Sequence, residues 1–485
     1  MEIEMVVGLE IHVQLSTKTK MFCRCKNDSF NSRPNENICP VCMGFPGQLP
    51  VLNKCAVDFA IKAALALNCK INQNNKMDRK NYFYPDNPRG FQISQYDRPL
   101  SENGFVELGG DFSENKVRVK RVHIEDDAGK LTHFDGFSLV DFNRAGCPLI
   151  EIVSEPDISS AKQASAYAKE VQKILRFVGV SDADMEKGQL RFDASVSVRE
   201  KGDKNLNHRA EIKNLNSFKS LELAIEFEYE KQKALFLKGE KLSGDLTLGF
   251  NDIEKNTYFL RDKEESLDYR YFPEPDIPVL TLSDELIMQI KNFIPILPAE
   301  KKKQYVEIGM GEEEAEFVSS NPKFSAYFDK LLEITRDVKL STTFFNSVLV
   351  QYLKEFSAEI EAQKVTPEIL SELILLVKDG KLSVSSAKAD IFPVLFETGE
   401  SPLKILEEKG LMQISDTSFI EDVCKKIVSE NPESVDSIKN GKDRVLGFLI
   451  GLVMKESKGK ANPKLVDETI RKIISQSGFS LLNCD

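Results

Sequence analysis

The sequence predicts an α+β protein, β-rich over residues 1–292 and helical after them. Two observations carry this. Short apolar runs early in the chain alternate with polar residues at period two, as half-buried strands do. Leu9, Ile11 and Val13 alternate with Glu10, His12 and Gln14, and Val122 and Ile124 with His123 and Glu125. Strand signals then fade after about residue 290, and residues 293–408 are Glu/Lys-rich with helical character. At 485 residues and 41% apolar, the chain has material for roughly two to four domains.

In chain order, the first strand sets Glu10 and His12 side by side on one face. Residues 21–46 hold a C-x-C pair, Cys23 and Cys25, and a C-x-x-C pair, Cys39 and Cys42, around a polar spacer. Two tight thiol pairs suit a tetrahedral structural zinc that staples a loop. Four reduced thiols without metal are the alternative. Cys55, Cys69, Cys147, Cys424 and Cys484 stand alone and are expected to be inert. Residues 54–68 read as an Ala-rich helix. Residues 80–99, KNYFYPDNPRGFQISQYDRP, read as a shaped loop. Tyr82, Phe83, Tyr84 and Tyr96 are expected in a core, with stacking on a base as the alternative.

The run Leu149–Val153 buries a carboxylate, Glu151, among apolar residues. An unpaired buried carboxylate costs several kcal/mol, so Glu151 must meet a cation, either a Lys or Arg or a metal ion. Glu10, His12, His123, Glu125 and Glu151 all lie in strand-like runs, which points to one shared site. Oxygen ligands with an imidazole suit magnesium or manganese better than zinc.

A helix is predicted from Ser159 to Gly179, capped by Ser159 or Ser160 and stopped by the glycine. In the next strand Leu190, Phe192, Ala194, Val196 and Val198 share one face, and Arg191, Asp193, Ser195, Ser197 and Arg199 the other. The strand after it repeats the pattern with Arg209, Glu211 and Lys213. These polar faces are either solvated or the floor of a phosphate-binding cleft. Phe218–Gly239 reads as an amphipathic helix, and Arg261–Pro278, with three prolines, as an ordered loop. The helical region carries turn marks at Asn321-Pro322 and Gly380. Residues 409–485 are Gly-punctuated, and Lys439–Lys472 holds nine Lys or Arg against four Asp or Glu, an excess of five that suits nucleic-acid phosphates.

Several classes are disfavoured. A net charge of -11 argues against a wholly basic nucleic-acid protein. The start Met-Glu-Ile-Glu has no basic n-region of a signal peptide, and no apolar run reaches the ~20 residues of a membrane helix. Nine cysteines clustered early fit a reducing cytosol better than a disulfide framework. Neither G-x-x-x-x-G-K-[ST] nor a strand-borne G-x-G-x-x-G is present, so metal and Lys/Arg would have to hold any nucleotide phosphates.

The segments GLEIHVQL, CPVCMGFPG, YPDNPRGFQISQYD, HIEDDAGK, DFNRAGCPLIEIVSEPD, DMEKGQLRFDASVSVR, EIKNLNSF, DYRYFPEPDIP and GFLIGLVMKESKGKANP occur in this order. Through them the whole chain resembles the GatB family, the B subunits of bacterial tRNA-dependent amidotransferases. The resemblance implies a β-rich, mostly antiparallel cradle domain with a zinc knuckle over 1–292. It also implies a helical domain over 293–408 and a YqeY-like tail over 409–485. It further implies a cytoplasmic heterotrimer with an amidase-type A subunit and a small C subunit, and no membrane. The implied reaction phosphorylates the side-chain carboxylate of Glu-tRNA(Gln) or Asp-tRNA(Asn) with ATP, and ammonia from the A subunit then displaces the phosphate.

On this reading Glu10, His12, Glu125 and Glu151 hold Mg2+ or Mn2+, and Cys23, Cys25, Cys39 and Cys42 hold Zn2+. Arg191, Arg199, Arg209 and Lys213 are phosphate candidates. Asp193 and Glu211 hold a second metal or orient those cations; Glu125, Lys213, Asp193 and Glu211 form the catalytic set. Two departures stand out. Asp245-Leu246-Thr247-Leu248 replaces the usual Gln-Glu-Thr-Arg, and Asn346-Ser347 replaces Asn-Trp. The archaeal Glu-tRNA-specific relatives share the catalytic motifs but carry an inserted domain for which this chain has no room. A zinc-stapled tRNA scaffold without chemistry is the third reading. Which of the Gln and Asn tRNAs is served is not written in the sequence.

Overall fold

The computed structural model describes residues 2–112, 115–262, 268–411, 417–439, 443–457, 461 and 463–476. It divides into two compact units, Met1–Lys301 and Lys302–Asp485. The chain is α+β, with a large sheet in the first unit and helices throughout the described part of the second.

Nine strands form the main sheet: β1 (Ile3–Gln14), β2 (Lys70–Ile71), β3 (Ser101–Glu107), β4 (Lys116–Asp126), β5 (Pro148–Ser154), β6 (Leu190–Glu200), β7 (Ala210–Leu215), β8 (Leu246–Asn251) and β9 (Asn256–Asp262). Their spatial order is β9-β8-β7-β6-β1-β5-β4-β3-β2. Every pairing is antiparallel except β7 with β8. The twelve-residue β1 lies at the centre. Its Val7, Leu9, Ile11 and Val13 are buried on one face with Ile150, Ile152, Val122, Ile124, Phe192 and Ala194. Helices α1 (Lys54–Ala66), α2 (Ala161–Phe177) and α3 (Phe218–Leu237) pack on the sheet. The opposite face therefore carries the polar half of each alternation.

Local chemistry explains the helix ends. Asn53 caps α1 by accepting from the Ala56 amide, and its own amide reaches the Thr19 and Lys20 carbonyls. Of the two serines considered for α2, Ser160 is the cap, and Gly179 turns the chain at φ 70°.

Two expectations change. Residues 80–99 are not loop throughout: Asp78–Asn81 pairs antiparallel with Phe91–Ser94, and Phe272–Pro273 adds a third strand. The third strand comes from the Arg261–Pro278 segment, nearly 200 residues later, so local patterning gave no sign of it; residues 263–267 of that segment lie outside the described residues. The aromatics there are not core either. Phe83, Tyr84 and Tyr96 are 81%, 54% and 41% exposed, because the apolar interior is already filled by β1 and its neighbours.

In the second unit, Asn321 caps the helix Pro322–Thr335, and Gly380 at φ 71° follows the helix Pro367–Lys378. One core gathers Phe328, Leu331, Phe344, Phe345, Leu370, Ile374 and Phe392. Asn346 and Ser347 lie in a π-helical turn, Phe345–Leu349. A separate core joins Ile420, Cys424, Leu449, Val453, Val466 and Ile470. Of the basic stretch, Lys442, Lys458 and Lys460, like Cys484, lie outside the described residues.

Gly104 in β3 marks a close approach. A Cβ there would stand 2.5 Å from the Leu67 carbonyl oxygen, which accepts from the Phe105 amide at 3.0 Å. Gly104→Ala should cost about 1–3 kcal/mol. A thermal unfolding midpoint equal to that of the unsubstituted protein would contradict this packing.

Candidate active site

The polar face of the sheet floors a cleft of about 720 Å³. Strand register builds it. His12 on β1 stands opposite Glu151 on β5, and Glu151 opposite His123 on β4. Glu10 stands opposite Asp193 on β6, and Ser195 opposite Glu211 on β7. Cross-strand partners share a face, so one row of residues runs across five strands.

Glu151 lies between two imidazoles, with His123 Nε2 at 3.3 Å and His12 Nε2 at 3.5 Å. Glu125 lies 3.6 Å from His123 and 3.8 Å from His12. Burial presses the Glu151 carboxyl upward, yet His123 and His12 hold it well below the ordinary range. Burial likewise works against a charged His12, but Glu151, with Asp193 and Glu125, raises its imidazole to about 9. Further along the row, Lys213 Nζ is 2.7 Å from Asp193 and 2.8 Å from Glu211. Its ammonium stays well above the ordinary lysine range because Asp193, Glu10 and Glu211 outweigh burial. Glu10 is pushed up by burial and by Glu151.

The floor thus offers two ligand sets. His12, Glu125 and Glu151 place one donor atom each within 4.8 Å of one another, and so do Glu10, Asp193 and Glu211. Glu10 therefore groups with the second set rather than with His12, Glu125 and Glu151 as the sequence suggested. Hard oxygen donors with one imidazole fit a magnesium- or manganese-type cation.

Of the four phosphate candidates, Arg209 and Lys213 line the cleft. Arg209 Nε is 3.3 Å from Asp245, which also takes His208 at 3.0 Å. Arg191 instead donates to both oxygens of Asp127 at 3.0 Å, and Arg199 pairs with Glu4 at the far end of β6. Neither Arg191 nor Arg199 lines this cleft. Asp245, which stands where Gln is usual in the resemblance, lines it, as does Thr247, which keeps the usual threonine.

Sequence reasoning missed Lys80, Ser94, Arg121, Tyr269 and Tyr271, which complete the wall. Tyr271 stacks on Tyr96 at 4.4 Å between ring centres, and Lys80 lies over the Tyr269 ring at 4.8 Å. Arg121 had a legible signal: it precedes His123 by two residues and therefore shares its strand face.

A second centre lies in the Cys-rich loop. The sulfurs of Cys23, Cys25, Cys39 and Cys42 lie within 4.8 Å of one another. The Cys39 amide donates to Cys42 Sγ at 3.2 Å. Lys20 is fully buried, with Nζ 3.9 Å from Cys42 Sγ and 3.3 Å from the Phe142 carbonyl, and has no carboxylate partner among the described residues. A buried ammonium needs an anion, and a metal-bound tetrathiolate carries net negative charge. A hydrogen bond from Cys23, helped by Lys20, pulls the Cys42 thiol down to about 5 against burial. The four-thiol set therefore fits zinc. Of the isolated cysteines, Cys69, Cys147 and Cys424 are buried and Cys55 is exposed.

A sequence profile described as the GatB/GatE catalytic domain matches residues 5–288, and one described as the GatB domain matches 326–474. The chain is 46% identical over 476 residues to the B subunit of the aspartyl/glutamyl-tRNA(Asn/Gln) amidotransferase of Thermotoga maritima, covering 97% of this chain and 98% of that protein. The protein of the same name from Clostridium tetani is 46% identical over 478 residues, 98% of this chain and 100% of its own. The first of the numbered B subunits of Clostridium acetobutylicum is 48% identical over 470 residues, 96% of this chain and 98% of its own. Similarity of this depth, running through both units, leads to one conclusion: the chain belongs to the GatB family, the B subunits of aspartyl/glutamyl-tRNA(Asn/Gln) amidotransferases.

Proposed function

We propose that this chain is the ATP-dependent part of a glutamine-dependent tRNA amidotransferase. It phosphorylates the side-chain carboxylate of Glu-tRNA(Gln), Asp-tRNA(Asn) or both, and hosts the exchange of that phosphate for ammonia. The observation that carries the reading is the pair of three-ligand sets side by side on one sheet face, with Lys213 at 2.7 and 2.8 Å from Asp193 and Glu211.

A carboxylate is a poor electrophile, so amide formation needs an activated acyl group. In the first step a carboxylate oxygen bonds to the γ-phosphorus of ATP and the bond to ADP breaks. In the second, ammonia bonds to the carbonyl carbon, phosphate leaves, and a proton is released. Such transfers rest mainly on positioning and charge stabilisation. Lys213 and Arg209 supply positive charge to the phosphates, and Asp193 and Glu211 orient Lys213. A divalent cation, Mg2+ or Mn2+, on His12, Glu125 and Glu151, or on Glu10, Asp193 and Glu211, would neutralise phosphate charge.

No catalytic nucleophile for glutamine hydrolysis is legible in this chain, which fits delivery of ammonia by an amidase-type A subunit in a cytoplasmic heterotrimer with a small C subunit. Zinc on the four cysteines would staple the loop that Lys20 and Asn53 hold against the sheet. We assign the cradle to 1–292, the helical domain to 293–408 and the tail to 409–485, where a separate core and the local excess of Lys and Arg support a tRNA-docking role.

The deciding experiment is amidation of Glu-tRNA(Gln) and Asp-tRNA(Asn), assayed separately with the full heterotrimer; conversion of neither would refute the reading. Glu125→Ala should lower tRNA-dependent ATP hydrolysis and amide formation by at least about 100-fold. Glutamine hydrolysis should survive in part, and near-normal phosphorylation of Glu-tRNA would remove Glu125 from the site. Protein purified without chelator should carry about one zinc per chain, and Lys20→Met should lose it to chelator ~10-fold more readily. Zinc-free protein in metal analysis would defeat that assignment. Deleting 409–485 should weaken tRNA binding and flatten its salt dependence; equal affinity at several salt concentrations would count against a docking tail.

A further inference from the structure

The cations of the cleft are not equivalent. Lys213 lies between Asp193 and Glu211, and Arg209 faces Asp245. Arg121 also lines the cleft and is half-buried, yet it makes no ion pair with any described residue. Its Nε is buried without a hydrogen-bond partner. The in-register neighbour on β5 is Val153, which offers no charge. The neighbour on β3 is Glu102, whose carboxylate is turned to the Asn72 amide at 3.0 Å and lines a different cavity. A half-buried guanidinium without an anion is costly, and its planar fork matches a carboxylate with two parallel hydrogen bonds.

We propose that Arg121 receives the side-chain carboxylate of the aminoacyl group and aims it along the row of ligand sets. This rests on the function proposed above. Position distinguishes that anion from the nucleotide. Arg121 on β4 is in register with Val153 on β5, Glu10 on β1 and Asp193 on β6, two residues along β4 from His123, and Lys213 stands on β7 across the floor. Strand spacing makes β4 and β7 about 19 Å apart. Arg209, Lys213 and Arg261 lie toward the β7–β9 end, which suits a polyanionic triphosphate. One guanidinium at the other end suits a single carboxylate. A carboxylate held from β4 and a triphosphate held from β7 approach each other across the floor, as an in-line transfer requires of its attacking and leaving oxygens. The stacked Tyr96 and Tyr271 line the same cleft.

The test uses the full heterotrimer with Arg121→Gln and Arg121→Lys, ATP, and whichever of Glu-tRNA(Gln) and Asp-tRNA(Asn) the wild type amidates. Arg121→Gln should lower kcat/KM for the aminoacyl-tRNA by about 100-fold or more, and Arg121→Lys should recover part of it. The KM for ATP and the affinity for deacylated tRNA should stay within about twofold, which also shows that the variants fold. Preference for aminoacyl-tRNA bearing a free carboxylate over the amidated product should collapse. A KM for ATP raised tenfold with the aminoacyl-tRNA parameters unchanged would assign the guanidinium to the triphosphate and overturn the proposal, as would no change in either. Inactivity of the wild type on both substrates would instead refute the functional reading, and this inference with it.

Discussion

Everything in the first unit depends on placing carboxylates on a sheet face and giving each a positive neighbour. Glu151 is the clearest case. It sits in the middle of β5 with Ile150 and Ile152 turned into the core, so its own side chain must face the cleft. Buried there, it survives as a carboxylate because His12 and His123 flank it from the two adjacent strands. The same logic recurs at Lys213 between Asp193 and Glu211. Charges in a low-dielectric cleft interact far more strongly than in water. Carboxylates packed this closely cost free energy unless cations stand beside them, as His12, His123 and Lys213 do here.

The apolar face makes that crowding tolerable. α1, α2 and α3 cover one side of the sheet and bury Leu9, Ile11, Val122, Ile124, Ile150 and Ile152. Register is then pinned, since a one-residue slip would turn Glu10 and His12 into the core and Leu9 and Ile11 out to water. The hydrophobic effect on one side thus holds the ligand geometry on the other to the precision of a β ladder, without any loop in the ligand sets.

The Cys-rich loop joins this frame through short links. Lys20 bonds toward Phe142 and Cys42, Asn53 ties the loop to the start of α1, and Arg89 pairs with Asp126 at the end of β4. Gly44, at φ 68°, lies so close to Arg89 that a Cβ would stand 2.5 Å from its Cγ. The Cys-rich loop is therefore braced against the strand that carries Arg121, His123 and Glu125.

The sequence by itself determined what is local: the alternation in β1, β4, β5 and β6, the two thiol pairs, the serine cap of α2, the turn at Asn321-Pro322, and the membership of Glu10, His12, Glu125, Glu151, Asp193, Glu211 and Lys213 in polar strand faces. Period-two patterning states which face a residue occupies, and nothing more. Only the tertiary structure decided which faces adjoin. Strand order set β1 between β5 and β6, which divided the expected four-residue ligand set and gave Glu10 to Asp193 and Glu211. Arg191 and Arg199 share the face of Asp193, yet Asp127 and Glu4 claim their guanidinium groups, because a long side chain goes to the nearest carboxylate that the fold supplies. The strand pairing at residues 78–94 and the wall of Tyr96 and Tyr271 join segments nearly 200 residues apart, and no local pattern encodes such a contact.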